Sequence, residues 1–213
     1  MIKRILIIGF GMMGKSHLYS FINSKHKYQI SIYDKKNYSK IEISNYFNKV
    51  NFLKKFPKKK KYDCVIIATS SDIRFLLLKK ILKFNKVNKV ILEKFIFPKI
   101  VQYKKFAKFS ENYKDLILKV NTWGDYLYRN LKLPKNIKNN NVKIFVPEGT
   151  LLSNTIHYLD FCFRKIQKIE INLNLKRIIN SKRNSYHEAL GKISINTSQK
   201  QISIQTSKNK NDK

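Results

Sequence analysis

The sequence predicts an α/β fold in which a doubly wound parallel sheet is followed by a smaller α+β domain. From Arg4 to Trp123, short β-branched runs alternate with longer amphipathic stretches, which is typical of βαβ units. Some of these runs are apolar at every position, as strands between two layers of helices are. Near the C-terminal end, in IEINLNLKRII, GKISINT and KQISIQT, apolar and polar residues alternate with period two, which indicates half-exposed antiparallel strands.

Residues 1–121 are predicted to form the sheet of the first domain. Strands are expected at RILIIG, YQISIYD, Val50–Leu53, YDCVIIAT, VNKVILEK and LILKVNTW. Helices are expected at MGKSHLYSFINS, before Val50, at SDIRFLLLKKILKF and at PKIVQYKKFAKFSENY. Ser71 or Asp72 is placed to cap the SDIRF helix, and Pro98 stands at the start of the last helix.

Residues 122–206 are predicted to form the smaller domain, and residues 207–213 a disordered charged tail. The expected helices are DYLYRNLKLP and TLLSNTIHYLDFCFRKI, and the expected strands are NNNVKIFVP, IEINLNLKRII, GKISINT and KQISIQT. The last two strands flank the polar turn SQK, which predicts a hairpin.

The chain is strongly basic, with a formal net charge of +32 over 213 residues. Such a charge first suggests a nucleic-acid partner. The lysines, however, are spread along every segment, and their densest run, Lys58–Lys61, follows a proline and is predicted as a loop. We therefore expect a solvated basic surface without a specific nucleic-acid site. The alternative would require steeply salt-dependent binding to DNA or RNA.

Cys64 and Cys162 lie in apolar stretches, which indicates buried thiols in a reducing compartment. The first apolar run is too short for a signal peptide, and no stretch reaches the ~18 apolar residues that a membrane-spanning helix needs. We expect a cytoplasmic protein that does not contact a membrane.

Gly9, Gly11 and Gly14 stand where the first strand stops and the first helix starts, as in a dinucleotide-binding fingerprint. In that motif the glycines allow a tight turn, close approach of the pyrophosphate and close helix packing, and the helix N-terminus attracts the phosphates. Asp34 follows Gly14 by 20 residues, where a carboxylate accepts from the ribose hydroxyls. These features predict a Rossmann domain.

The cofactor is predicted to be NAD or NADP. Asp34 favours NAD because its carboxylate repels the additional phosphate of NADP. Lys35 and Lys36 follow directly and either neutralise that phosphate or belong to a solvated loop. The residues leave both cofactors open.

The motifs GFGMMGKSH, VIIATSSDIR, ILEKF and GTLLSNTIHYLD together resemble the Gfo/Idh/MocA family of NAD(P)-dependent oxidoreductases, from Ile2 to about Gly191. ILEKF, NTIHYLDF and SKRNSYHEALG are most similar to members found with surface-polysaccharide genes. The resemblance implies hydride transfer between a nicotinamide and a hydroxyl or keto carbon of a sugar or sugar nucleotide. It also implies a second domain shortened relative to the family, and a homo-oligomer formed through its sheet.

The resemblance implies that Lys94 and His157 are catalytic. Lys94 matches the lysine of the family's Glu-Lys-Pro motif, at the carboxyl end of a strand, where a desolvated amine would have a pKa lowered toward neutrality. His157 matches the histidine of an HxxD-type helix and faces the substrate hydroxyl as acid or base, and Asp160 orients its surroundings. Glu93 is expected near the nicotinamide ribose.

The resemblance also implies the residues that contact the ligands. The cofactor contacts lie in the glycine loop, after the second strand, after YDCVIIAT and in ILEKF: Gly9, Phe10, Gly11, Met12, Met13, Gly14, Asp34, Thr69, Ser70, Ser71, Glu93 and Lys94. The substrate contacts are Asn121, Ser153, Asn154 and His157. His17 is interpreted as helix packing, Glu188 as core or interface, and no metal site is expected.

Several positions depart from the family pattern. Phe95 replaces the motif's proline, the residue that favours a cis peptide. Ser153 stands where many members have aspartate, so a Lys-Asp-His relay is incomplete. Gly124 and Asp125 stand near the usual substrate-holding arginines, and Arg74 stands where histidine is common. The alternative hypothesis is therefore a catalytically impaired, nucleotide-binding member.

Overall fold

The computed structural model describes residues 2–36, 50–124, 126, 130, 141–162, 170–181, 186–198 and 201–207. The chain divides into two compact units, Met1–Asn121 and Thr122–Lys213. The predicted helix before Val50 and the tail 208–213 lie outside the described residues, as does most of the predicted helix DYLYRNLKLP.

The first unit is built on a parallel sheet that contains six strands among the described residues. They are β1 (Lys3–Ile8), β2 (Tyr28–Tyr33), β3 (Val50–Leu53), β5 (Cys64–Ile67), β7 (Lys89–Glu93) and β8 (Ile117–Asn121). Their order is β3-β2-β1-β5-β7-β8, and every neighbouring pair is parallel. A short parallel pair, β4 (Lys61–Tyr62) and β6 (Lys86–Val87), lies apart from this sheet and was not predicted.

Helices cover both faces of this sheet, which confirms the predicted doubly wound fold. Helix α1 (Met12–Ile22) packs on one face, and α2 (Ser71–Phe84) and α3 (Ile100–Ser110) pack on the other. Alternate residues of each strand supply the two cores, because successive side chains point to opposite faces. The α1 side buries Ile5, Ile7, Leu18, Ile30, Ile32 and Ile66, and the α2 side buries Leu6, Ile8, Val65, Ile67, Leu78 and Ile81.

Two helix starts differ from the prediction. Ser70, in an extended conformation, is the N-cap of α2, and Ser71 is already a buried residue of the helix. Helix α3 starts after Lys99, whose backbone N–H donates to the Gln102 side chain at 3.3 Å, so Pro98 precedes the helix. The Gln102 side chain thus satisfies the Lys99 backbone N–H at the start of α3.

The second unit pairs one described helix, α4 (Leu151–Cys162), with a mixed sheet. Its strands are β9 (Val142–Val146), β10 (Glu170–Asn180), β11 (His187–Asn196) and β12 (Gln201–Thr206), in the order β10-β11-β12-β9. The β11–β12 pair is antiparallel, which confirms the predicted hairpin, whereas β9 joins β12 in parallel. Its core consists of Val146, Leu151, Ala189, Ile193, Ile195, Ile202 and Ile204. Within the described parts of both units, no helix has the length and apolar character needed to cross a membrane.

Candidate functional site

The glycine loop follows β1 and depends on glycine for two different reasons. Gly9 has φ +95°, and a Cβ there would lie 2.9 Å from the Ala68 carbonyl oxygen. Gly14 is buried, and a Cβ there would lie 2.0 Å from the Gly9 carbonyl oxygen. At Gly11 a Cβ would meet nothing within 4 Å. Backbone packing therefore requires Gly9 and Gly14, whereas Gly11 leaves the approach to the N-terminus of α1 open.

Asp34 holds this loop to the end of β2. Its Oδ2 accepts the Phe10 backbone N–H at 2.6 Å, and its Oδ1 accepts the Lys36 N–H at 2.8 Å. The Phe10 side chain is buried, whereas Met12 is exposed and Met13 is half-buried at the start of α1. Asp34 thus shapes the loop in addition to its predicted ribose contact.

The N-termini of α1 and α2 lie at the same edge of the sheet. They follow the neighbouring parallel strands β1 and β5, at the point where the chain order reverses. Thr69 is half-buried, Ser70 is exposed and Ser71 is buried, and a Cβ on Gly9 would lie 3.0 Å from Thr69 Cγ2. Helix N-termini attract anions, and the switch point of such a sheet is where ligands bind.

Glu93 is the buried polar residue at the end of β7, with 5% of its surface exposed. Its Oε1 lies 2.6 Å from His17 Nε2 and accepts the Asn121 side-chain amide at 2.8 Å. The interpretation of His17 as helix packing was wrong, because its ring joins α1 to the end of β7. Asn121, predicted to contact substrate, is hydrogen-bonded to Glu93 here.

The environment of Glu93 favours its ionised form. Burial alone would raise the pKa of this carboxyl, but the hydrogen bonds from His17 and Asn121 and the positive charge of Arg74 outweigh burial and lower the pKa. Glu93 is thus a fixed negative charge at the carboxyl edge of the sheet.

The lowered pKa of Glu93 predicts a specific dependence of stability on pH. Since the carboxyl is ionised more readily in the folded state, its contribution is complete above its ordinary pKa of about 4.3 and is lost as the pH falls through the folded-state value. The melting temperature of the wild type should therefore exceed that of Glu93→Gln at neutral pH, and the gap should narrow with acid. Glu111→Gln, at the exposed end of α3, is the control. A gap that stays constant down to about pH 3 would contradict the assignment.

Arg74 is a buried residue of this region whose role the sequence did not predict. The residue is 3% exposed, and its guanidinium donates to the backbone carbonyls of Thr69, Glu93, Phe95 and Ile96. It therefore joins the loop after β5 to the loop after β7. The only sequence signal was an arginine at a position where the resemblance leads one to expect histidine.

Lys94 follows Glu93 directly at the carboxyl end of β7 and is half-buried. The Lys94–Phe95 peptide is cis although Phe95 replaces proline. The predicted proton-handling role of Lys94 stays a prediction.

His157 is the buried histidine of the second unit, with 6% of its surface exposed. Its ring stacks on Trp123 with centroids 4.6 Å apart, and its Nδ1 accepts the Trp123 backbone N–H at 3.3 Å. A neutral imidazole with Nδ1 as acceptor carries its proton on Nε2. In this state His157 is a hydrogen-bond donor through Nε2.

The segment 122–124 packs closely on α4. The Thr122 hydroxyl donates to Asp160 Oδ2 at 2.6 Å. A Cβ on Gly124 would lie 2.5 Å from both Asp160 Oδ2 and the Phe161 nitrogen. Close packing against α4 therefore explains glycine at position 124, which stands near the substrate-holding arginines that the resemblance leads one to expect. Asp125 lies outside the described residues. The hydrogen bond from Thr122 is the contact that Asp160 makes here, and its predicted orienting role stays a prediction.

Glu188 caps the helix that carries the predicted substrate residues. Its buried carboxylate accepts the backbone N–H groups of Leu152 at 2.8 Å and Ser153 at 3.0 Å. Ser153 and Asn154 lie on α4 one turn before His157, partly exposed. A carboxylate at a helix N-terminus stabilises the helix, so Glu188 supports the placement of all three.

Across the described ranges of both units, no group of three or more His, Cys, Asp or Glu side chains is arranged to hold a metal ion. The carboxylates described above are instead hydrogen-bonded to backbone N–H groups, the Asn121 amide, the His17 ring and the Thr122 hydroxyl.

Residues 3–121 match the model of the oxidoreductase family with an NAD-binding Rossmann fold. The chain belongs to the Gfo/Idh/MocA family. The cofactor class predicted from the glycine loop is thereby confirmed. The residues fit a dinucleotide, because Gly11 leaves the N-terminus of α1 open and Asp34 lies beside the same loop.

Solved structures show the same fold at low sequence identity. An oxidoreductase from Bacillus cereus is 16% identical with a TM-score of 0.68, and the match covers 96% of this chain and 64% of that one. An NAD-binding protein from Listeria innocua is 15% identical with a TM-score of 0.65, covering 97% and 67%. Biliverdin reductase from Synechocystis sp. PCC 6803, in complex with biliverdin and NADP+, is 16% identical with a TM-score of 0.57, covering 96% and 72%.

This Gfo/Idh/MocA chain is shorter than those relatives. It spans about 64% of the length of the Bacillus cereus oxidoreductase. No curated protein matches it in sequence.

Proposed function

We propose that the protein is an NAD(P)-dependent oxidoreductase that acts on a hydroxyl or keto carbon of a sugar or sugar nucleotide. The observation that carries the proposal is the placement of Lys94, half-buried at the carboxyl end of β7 beside the ionised Glu93. This edge of the sheet also carries the glycine loop of an NAD-binding family. When bound, the nicotinamide supplies or accepts the hydride.

Lys94 and His157 are the proposed proton-handling groups. Reduction of a keto carbon adds a hydride to carbon and a proton to oxygen, and oxidation removes both. Because His157 Nδ1 accepts a backbone N–H, a neutral His157 would donate a hydrogen bond from Nε2 to the substrate oxygen, and the proton added to that oxygen would come from the Lys94 ammonium. Ser153 and Asn154, one turn away on α4, are the proposed substrate contacts together with Asn121.

The proposal leaves two candidate cofactors, NAD and NADP. The carboxylate of Asp34 beside the loop supports NAD, and the exposed Lys35 and Lys36 support NADP. The similar biliverdin reductase holds NADP+. Melting curves with each reduced cofactor decide between them, because the ligand with lower Kd gives the larger shift at equal concentration.

We further propose that two copies associate through the second unit's sheet. The β10–β11 register places Ile171 and Leu173 opposite the buried Ile195 and Ile193, on the face that α4 covers elsewhere. Yet Ile171 is 49% exposed and Leu173 60% exposed. An apolar edge strand of this kind favours association. A monomer in sedimentation at all concentrations would refute this.

A role in surface-polysaccharide biosynthesis in the cytoplasm is part of the proposal. It is supported by the similarity of ILEKF, NTIHYLDF and SKRNSYHEALG to members found with such genes. Cys64 is a buried free thiol, which fits a reducing compartment, whereas Cys162 is only partly buried and not buried as predicted. Fractionation of cells that express the tagged chain would place it.

The test of the proposed activity is absorbance at 340 nm with NAD(H) or NADP(H) and a panel of sugars and sugar nucleotides. A substrate-dependent change that Lys94→Met abolishes supports the proposal. The competing function is a nucleotide-binding protein without catalysis, which is favoured by Ser153 in place of the aspartate of many members. Cofactor binding without any absorbance change across the panel would support that alternative.

A further inference from the structure

Arg74 connects the two loops at the carboxyl ends of β5 and β7. Its Nη1 donates to the carbonyl oxygens of Glu93 at 2.5 Å, Ile96 at 3.2 Å and Phe95, and its Nη2 donates to the Thr69 carbonyl. A buried guanidinium is costly unless it is hydrogen-bonded, and here four main-chain oxygens accept from its two terminal nitrogens, Nη1 and Nη2. The arginine is thus built into the backbone of this edge.

The four acceptors surround Lys94 and the start of α2. Glu93 precedes Lys94, Phe95 and Ile96 follow it, and Thr69 belongs to the predicted cofactor loop. A planar guanidinium presents five donors in fixed directions, whereas the ammonium of lysine offers three on a flexible stem. A single side chain can therefore fix the backbone on both sides of Lys94 relative to the loop before α2.

We propose that Arg74 is a positioning residue that holds the Lys94 loop against the Thr69 loop. The Lys94 amine is then presented at the edge of the sheet where the cofactor loops converge. This inference rests on the proposed function, in which Lys94 handles the proton. The charge of Arg74 also acts on the neighbouring Glu93, whose pKa it helps to lower.

The test compares Arg74→Met and Arg74→Lys with a control on the same helix. Leu78→Ala is the control, because Leu78 is fully buried in α2 and touches neither loop's hydrogen bonds. In each folded variant, mass spectrometry measures the rate at which a trace acylating reagent modifies Lys94, relative to the exposed Lys119. Turnover and NADH binding are measured in parallel.

Arg74→Met is expected to change the relative modification rate of Lys94 several-fold. It should lower kcat by about 100-fold, the cost of a misplaced catalytic group. Arg74→Lys should lie between Arg74→Met and the wild type, and Leu78→Ala should match the wild type in the modification of Lys94. Equal Lys94 modification in wild type and either Arg74 variant would overturn the proposal.

The experiment distinguishes failure of the proposed function from failure of the proposed role of Arg74. If the wild type turns over no sugar, the proposed function fails, but the modification rates still decide whether Arg74 positions Lys94. If Arg74→Met does not fold, the Arg74→Lys variant alone tests the proposal. If any positive charge at position 74 were sufficient for the structure, the rate of Lys94 modification in Arg74→Lys would equal that of the wild type.

Discussion

Lys94→Met should lower turnover by about 10²–10⁴-fold, the range typical of a lost general acid or base. Methionine is close to lysine in length and apolar, so the half-buried stem keeps its packing while the amine is lost. The neighbouring carboxylate of Glu93 and the glycine loop are untouched, and the Kd for NADH should stay near that of the wild type. Steady-state kinetics at 340 nm and a fluorescence titration of NADH measure the two quantities separately.

Lys89→Met is the matched control for this variant. Lys89 lies at the amino end of the same strand, β7, four residues before Glu93. Ligands bind at the carboxyl ends of such strands, so loss of the Lys89 charge should leave kcat unchanged. Undiminished turnover in Lys94→Met, or equal losses in both variants, would contradict the assigned role.

The first unit could be predicted closely from the sequence because its signals are local. An apolar run such as Ile5–Ile8 is buried on both faces, and the switch to helical periodicity after Gly14 marks the turn of the chain. The family motifs then place Asp34 and Lys94 at strand ends. The sequence pattern identifies each strand separately, and because the strands are parallel, their carboxyl ends lie at the same edge of the sheet.

The contacts that shape this edge could not be predicted, because they join residues far apart in sequence. His17 and Glu93 are 76 positions apart, and Arg74 reaches carbonyls 19 to 22 positions away. Periodicity places His17 on the inner face of α1 and cannot distinguish apolar packing from a hydrogen bond to a carboxylate. The acceptors of Arg74 are main-chain carbonyls, which every residue has, so the sequence does not indicate which of them Arg74 contacts. Its role could therefore not be predicted.

In the second unit the missing information is the partner of each strand. Alternation marks β11 and β12 as a hairpin, but nothing local indicates that β9 joins β12 in parallel. Likewise Glu188 is an ordinary glutamate in sequence, and only the fold brings it to the N-terminus of α4. The exposure of Leu173 could not be predicted either, since the alternation of apolar and polar residues in its strand predicts a buried side chain at this position.

Gly14→Ala is expected to destabilise the protein strongly, whereas Gly11→Ala is not. The new Cβ at position 14 would lie 2.0 Å from the carbonyl oxygen of Gly9, which is backbone and cannot rotate away. Overpacking costs about 1–3 kcal/mol or more, which corresponds to a fall in melting temperature of roughly 6–12 °C at the upper figure. Equal melting temperatures for the two apo variants would contradict the loop geometry.

Gly11→Asp separates the cofactor site from the stability of the fold. Gly11 is the N-cap of α1 with φ −69°, open space surrounds the new side chain, and aspartate is a preferred N-cap. The apo protein should therefore melt at or slightly above the wild-type temperature. The same carboxylate projects toward the approach of the pyrophosphate and repels it, so NADH should cause no melting shift at concentrations that saturate the wild type. If Gly11→Asp binds NADH normally, the dinucleotide does not lie at the N-terminus of α1.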